Sequence, residues 1–275
     1  MGGPARHELN TEFTWSDHTG PFRAVTDEQA RAYDERGFFV MEDALSDAEV
    51  AALTEAIDPF EAHQEDALRS MEGGRFFIAR ADEITFTTHL VLQSALLRHF
   101  TASTLLADVC ADLIGPDVRL YWDQAVYKKP GTESPFPWHQ DNGYAFVEPQ
   151  QYLTCWVALT DATEDNGCPW VVPGLHRRGT LAHDYSDIGF VCLRDPSDAV
   201  PVPARAGSIV VFSSLTPHST GPNRTDGVRK AYIVQFAPSG AEVIRAQPGG
   251  PMLRVPADAD GRQFEILRSG ERVSR

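Results

Sequence analysis

From Val118 onward the chain breaks into short runs of β-branched, aromatic and aliphatic residues: VRLYWDQAVYKK, YLTCWVAL, CPWVVP, GSIVVF and RKAYIVQF, each bounded by Gly, Pro, Asn or Asp. Such runs are strands punctuated by turns. No helical spacers lie between them, which excludes a parallel sheet of βαβ units and leaves a sandwich or barrel. Asn166-Gly167 supplies a hairpin turn, and Pro173-Gly174 ends a strand.

Before Val118 the texture is helical. Thr26 with Gln29, and Ser46 with Glu49, have capping-box spacing and predict two helix starts, with GFFVM as a short strand between them. Val50, Leu53 and Ile57 mark one face of the second helix. Residues 62–75 read as a polar connection, and a third apolar helix is predicted from Leu92 to Ile114, stopped by Gly115-Pro116. The final forty residues, with AQPGGPM, read as a loosely structured extension carrying one last strand at QFEIL. The fold class is mainly β with flanking helices. At 275 residues and 30.3 kDa the chain fits one large domain. Its parts are a mainly helical support region (1–117), a β core (118–237) and a C-terminal extension (238–275).

A net charge of −15, from 39 acidic against 24 basic residues, argues against binding nucleic acid or an anionic membrane. The start, MGGPARHELNTEFTWSD, lacks the apolar core of a signal peptide, and no apolar run approaches the ~20 residues of a membrane span. The expectation is a cytoplasmic protein. Cys110, Cys155, Cys168 and Cys192 are widely spaced without a CxxC, the pattern of buried free thiols.

Within PWHQDNGY, His139 and Asp141 are two residues apart. On a strand they would project from one face while Gln140 points to the other. Taken alone, the pair reads first as a histidine hydrogen-bonded to a nearby carboxylate in a turn, and only second as a metal site. His218, in LTPHSTGPN after the strand GSIVVF, could be aimed from a loop back into a barrel. Two histidines and one carboxylate on one face of a metal form the facial triad of non-haem Fe(II) oxygenases. Eleven residues on, Arg229 opens RKAYIVQF, so adjacent strands would set His218 and Arg229 at opposite ends of a pocket. A guanidinium in an apolar pocket calls for an anion, and a carboxylate matches it in a bidentate fashion.

The run WHQDNGYAFVEPQQYLTCWVALTDATEDNGCPWVVPGLHRRGTLAHDY, with PHSTGPNRTDGVRKAYIVQFAP and the upstream ERGFFVMEDALSDAEVAAL, resembles the phytanoyl-CoA dioxygenase family of Fe(II)- and 2-oxoglutarate-dependent oxygenases over residues 27 to 237. The resemblance implies a double-stranded β-helix, a jelly-roll or cupin-like barrel supported by the N-terminal helices. It implies His139, Asp141 and His218 as catalytic iron ligands, and Arg229 as the anchor of the far carboxylate of the cosubstrate 2-oxoglutarate, with O2 as oxidant. Thr220 matches a hydroxyl residue bonding the same carboxylate, and Trp156 an aromatic lining the cosubstrate. Gln124 is either a donor to 2-oxoglutarate or substrate, or an ordinary polar residue of the sheet. His176 would hold its loop and not bind metal.

Halogenating relatives replace the ligand carboxylate with a small residue, so Asp141 implies hydroxylation or a related oxidation such as desaturation or ring formation. The substrate is expected to be a small molecule, as for similar bacterial proteins that tailor natural products. Asn142, Tyr144, Phe77 and Trp170 are candidates to face it, alongside the ordinary reading of such aromatics as packing residues. Three lysines in an acidic chain disfavour a coenzyme A thioester, although Arg177 and Arg178 could form a local patch. A redox-neutral metal enzyme of cupin type and a non-catalytic binding module are the two other classes open at this level.

Overall fold

Along the strand Arg229–Pro238, alternate residues enter two different cores. Tyr232, Val234 and Phe236 pack with Tyr33, Leu53, Ile57, Leu106 and Val109 of the helices. Ala231 and Ile233 pack with Trp156, Phe212 and Val171. A strand buried on both faces is the middle of a layered structure. The computed structural model describes residues 4–273 apart from 246, 248 and 249.

The main sheet is antiparallel and runs Phe38–Met41, Ile209–Ser213, Leu153–Ala158, Arg229–Pro238, Val118–Lys128, Ile84–Thr88, Ala79–Arg80, Arg75–Phe76. A second sheet, Val200–Pro201, Pro169–Val171, His218–Thr220, Phe136–His139, faces its inner side. Val126, Trp156, Phe212 and Ile233 of the main sheet share one apolar cluster with Val171 and Phe136 of the second. These two facing antiparallel sheets are the jelly-roll arrangement. The helices cover the outer face of the main sheet.

Both capping boxes form, at Thr26 before helix Asp27–Arg36 and at Ser46 before helix Asp47–Ser70. GFFVM supplies the edge strand Phe38–Met41, which pairs with Ile209–Ser213. The second helix does not stop at residue 62. It continues through Pro59 to Ser70, because Glu61, Glu65 and Leu68 carry its buried face onward. The polar appearance of that stretch misleads, since Glu61 is bound by Lys129 Nζ at 2.6 Å and by Thr85 Oγ1 at 2.7 Å.

The single helix predicted over 92–114 is broken in two. Ala95–Thr101 and Thr104–Leu113 each start on a serine cap, Ser94 and Ser103, whose Oγ accepts from the backbone three residues on. The C-terminal extension is more regular than its composition implies. Glu242–Arg245 pairs with Leu253–Pro256 and with Phe146–Glu148. The QFEIL strand exists as Glu265–Arg268, paired with the start of Val118–Lys128. Of AQPGGPM, residues 246, 248 and 249 lie outside the described set, as do residues 1–3 of the start. All four cysteines are free thiols, and among the described residues no helix is long and apolar enough to cross a membrane.

Candidate metal centre

His139 is the last residue of Phe136–His139 and His218 the first of His218–Thr220. Antiparallel pairing sets them directly opposite one another, with ring centroids 4.1 Å apart. His218 therefore stands on a strand and not in a loop. Asp141, by contrast, is not on a strand: the chain leaves His139 through an extended Gln140 and enters the 3-10 turn Asp141–Gly143. The turn brings the carboxylate round to the two imidazoles. Asp141 Oδ1 lies 4.0 Å from His139 Nε2 and 3.8 Å from His218 Nε2. The ligand atoms of the three residues fall within 4.8 Å of one another, the one such cluster of His, Cys, Asp or Glu among the described residues.

Hydrogen bonds fix which atoms face inward. His139 Nδ1 donates to Pro137 O at 2.8 Å and His218 Nδ1 to Thr216 O at 3.0 Å, so each presents the Nε2 lone pair to the centre. Burial, reinforced by the neighbouring His218, holds the His139 pKa well below its ordinary value, in the neutral form a metal requires. Asp141 Oδ2 accepts from Thr154 Oγ1 at 2.5 Å, which leaves Oδ1 turned to the histidines. Two neutral nitrogens and one carboxylate oxygen, all oriented from behind, are a donor set for a divalent metal with open positions.

Arg229 and Lys128 stand opposite each other in the main sheet and are 0% and 1% exposed. Arg229 Nη1 donates to Val126 O at 3.2 Å, while Nε and Nη2 are buried without a hydrogen-bond partner. Burial pushes the Arg229 pKa down to about 10, and burial with the like charge of Arg229 pushes Lys128 well below its usual range. Unpaired buried charge costs several kcal/mol. Lys128 Nζ donates to Thr220 O, Thr220 Oγ1 and Gly221 O, whereas the two unpaired donors of Arg229, with no described carboxylate in contact, fit an anionic ligand. His218 and Arg229 do not sit on adjacent strands of one sheet, as the sequence implies, but on the two facing sheets.

The remaining candidates divide. Trp156 lies beneath Arg229, with the guanidinium carbon 5.4 Å from its ring. Thr220 Oγ1 accepts from Lys128 Nζ at 3.2 Å, so its hydroxyl is tied to the cation pair. Gln124 Oε1 accepts from Trp122 Nε1 at 3.1 Å, and its register with Ile233 puts it on the inner face. Tyr144 sets its ring edge-on to His139 at 5.3 Å. Asn142 is 1% exposed and turned outward, with Nδ2 donating to Thr180 Oγ1 at 2.6 Å and Oδ1 accepting from Val147 N at 2.9 Å. Trp170 pairs with Ser219, one residue past His218, and so takes the face opposite to His218.

Phe77 lies on the hairpin of Arg75–Phe76 and Ala79–Arg80, stacked on Tyr185 of the hairpin Asp184–Ser186/Gly189–Val191 at 6.4 Å. Arg75 Nη2 joins the same two hairpins by donating to Asp187 O. Below them a narrow opening lined by Ile78, Ile188, Arg80 and Phe136 reaches Lys128. His176 is a loop residue, its Nε2 3.1 Å from Asp34 O.

Lys128 and Thr154 escaped the sequence reading. Both carried a signal, since Lys128 shares the alternation of Trp122 and Gln124 in VRLYWDQAVYKK, and Thr154 that of Trp156 in YLTCWVAL.

Comparison with known proteins points the same way. The family model described as phytanoyl-CoA dioxygenase (PhyH) matches residues 33–231. A methylphosphonate hydroxylase of Gimesia maris is 28% identical over 252 residues, 90% of this chain and 95% of its own. The non-heme alpha-ketoglutarate-dependent carbocyclase SnoK from nogalamycin biosynthesis superposes with a TM-score of 0.67 at 25% identity, over 86% of this chain and all of its own. EvdO2 from Micromonospora carbonacea var. aurantiaca, in complex with 2-oxoglutarate, gives 0.63 at 26% identity over 84% and 96%.

Proposed function

This chain belongs to the phytanoyl-CoA dioxygenase family, and on that premise we propose that it hydroxylates an unactivated C–H bond of a small molecule, a natural-product intermediate, with release of succinate and CO2. It is an iron- and 2-oxoglutarate-dependent dioxygenase that uses O2. The observation that carries the reading is the buried pair Arg229 and Lys128, set on one sheet of the jelly roll while the facing sheet bears His139 and His218. A dicarboxylate would suit such a site, with Arg229 available to one of its carboxylates.

In this reading His139 and His218 would hold iron through Nε2 and Asp141 through Oδ1. When bound, iron would bring O2 to bear on the C–H bond, with O2 as the oxidant and 2-oxoglutarate as the two-electron co-reductant that leaves as succinate and CO2. The chain's own residues bind, orient and shield. Thr154 keeps one Asp141 oxygen occupied, so the other stays directed at the metal position. Arg229, with Lys128 beside it, would fix the far carboxylate of 2-oxoglutarate, and Trp156 under Arg229 would line that end of the pocket. Asp141 takes the place a halide would need, which favours hydroxylation or ring formation over halogenation.

The three lysines argue against a coenzyme A thioester. Lys128 is buried, Lys129 is bound to Glu61 at 2.6 Å and Lys230 to Asp58 at 2.8 Å. Arg177 is held by Asp17 at 2.8 Å. The three lysines are thus engaged within the protein, while the Arg177–Asp17 pair is exposed.

The test is a screen of small phosphonates, amino acids and polyketide glycosides for stimulated succinate release, followed by turnover under isotopically labelled O2. Label in an alcohol product supports the reading. A product formed without O2 uptake or succinate would replace it with redox-neutral chemistry.

A further inference from the structure

Between the metal-binding pair His139 and Asp141 stands a residue that the catalytic reading leaves idle. Gln140 is 0% exposed, yet every hydrogen-bonding group on its side chain is engaged. Its Nε2 donates to Leu215 O at 2.5 Å and to Gly179 O at 3.1 Å, and its Oε1 accepts from Leu181 N at 2.6 Å. Its backbone N–H donates to His183 Nε2 at 3.0 Å, while His183 Nδ1 donates to Leu181 O at 2.9 Å. The three segments joined this way are far apart in sequence.

Each bond meets something that shapes the metal centre. Leu215 is flanked by Ser214, whose carbonyl accepts from Asn142 N at 3.2 Å, and by Thr216, whose carbonyl orients His218. Gln140 thus ties the turn carrying Asp141 to the turn that aims the distal histidine. On the other side, residues 179–183 form a strap: Asn142 Nδ2 donates to Thr180 Oγ1, and Gln150 Oε1 accepts from both the Thr180 backbone at 2.9 Å and its hydroxyl at 2.8 Å. His183 also lies flush against Gly143. A Cβ added there would come within 2.1 Å of its ring, so the 3-10 turn can bend toward the metal only with glycine at that position.

We infer that Gln140 is a positioning residue that couples the two halves of the metal centre, holding His139 and Asp141 in register with His218 before metal arrives. The strap 179–183 and His183 are its anchors. Asp141 faces inward because both its neighbours, Gln140 and Asn142, are bound on the outside. A satisfied buried network of this kind specifies one geometry, and a half-satisfied one is costly. The inference rests on the reading of His139, Asp141 and His218 as metal ligands.

The experiment is a Co(II) titration of the full chain under anaerobic conditions, followed by visible absorption, beside thermal melts of metal-free protein. Wild type binds Co(II) and His139→Ala does not. Gln140→Met, which keeps the volume and all three ligands, raises the Co(II) dissociation constant 10- to 100-fold. A purely structural glutamine would lower the metal-free melting temperature and leave the constant unchanged, and that result overturns the inference. If Gln140→Met does not fold, His183→Asn serves instead: a weakening of at least about tenfold supports the inference and an unchanged constant overturns it. A wild type that binds no Co(II) overturns the metal reading itself, and the coupling with it.

Discussion

Arg229 and Lys128 face each other across two paired strands, both buried and neither in contact with a carboxylate of the described protein. With its Nε and Nη2 unpaired beside Lys128, the buried Arg229 guanidinium is costly in the unliganded chain and suits an anion.

Replacing Arg229 with Gln therefore has opposite effects on stability and on binding. The metal-free melting temperature is expected to hold or rise, since a buried charge is removed. The 2-oxoglutarate concentration for half-maximal succinate release is expected to rise at least tenfold, a loss of about 1.4 kcal/mol or more. Lys128→Met should act in the same direction. Unchanged 2-oxoglutarate dependence in both variants would remove the cation pair from the cosubstrate site.

Thr154→Val removes the one donor to Asp141 Oδ2. A hydrogen bond to a charged group contributes about 1.5–3 kcal/mol, so metal affinity should fall about tenfold or more while the fold persists. Competition with a coloured chelator reads this directly.

How far the sequence led can be judged from these residues. His139 and Asp141 were legible from their spacing and Arg229 from its place at the head of a strand run, but the family resemblance is what joined them to His218, which was read as a loop residue and stands on a strand. Lys128 and Thr154 obey the period of two of their strands but look like ordinary strand-end and sheet residues until burial is known. Asn142 misled for the converse reason. Lying beside Asp141 in sequence, it was expected to face substrate, whereas the 3-10 turn directs it outward to Thr180. Helix ends were legible from Thr26 and Ser46 through local capping. The extent of the helix from Asp47 was not, because Glu61 and Glu65 are polar residues buried by partners distant in sequence.

Acid should destabilise the protein through His176. Burial lowers its pKa from 6.5 to about 4, and its ring is 0% exposed against Trp15, centroids 4.4 Å apart. Between pH 6.5 and 4 the unfolded chain binds the proton and the folded chain does not, so stability falls as pH falls through this window, by up to about 3 kcal/mol. His176→Gln should be less stable at neutral pH but lose less on acidification. Parallel melting curves for the two proteins would contradict this.

Gly189 has φ 122°, and an added Cβ would meet Tyr144 Oη at 2.7 Å. Gly189→Ala is expected to loosen the hairpin at 184–191, which covers the opening toward Lys128, while the melting temperature changes little. Hydrogen exchange of the 184–191 amides should quicken; exchange as slow as in wild type would mean that the hairpin is not held through Gly189.

The most direct measurement is anaerobic addition of Fe(II) and 2-oxoglutarate to the purified protein, followed by visible absorption. Wild type should develop a weak charge-transfer band that requires both additions. His139→Ala and Asp141→Ala should show none, and Arg229→Gln should need far more 2-oxoglutarate to reach it. A wild-type protein that gives no band at saturating Fe(II) and 2-oxoglutarate would contradict the assignment of this site.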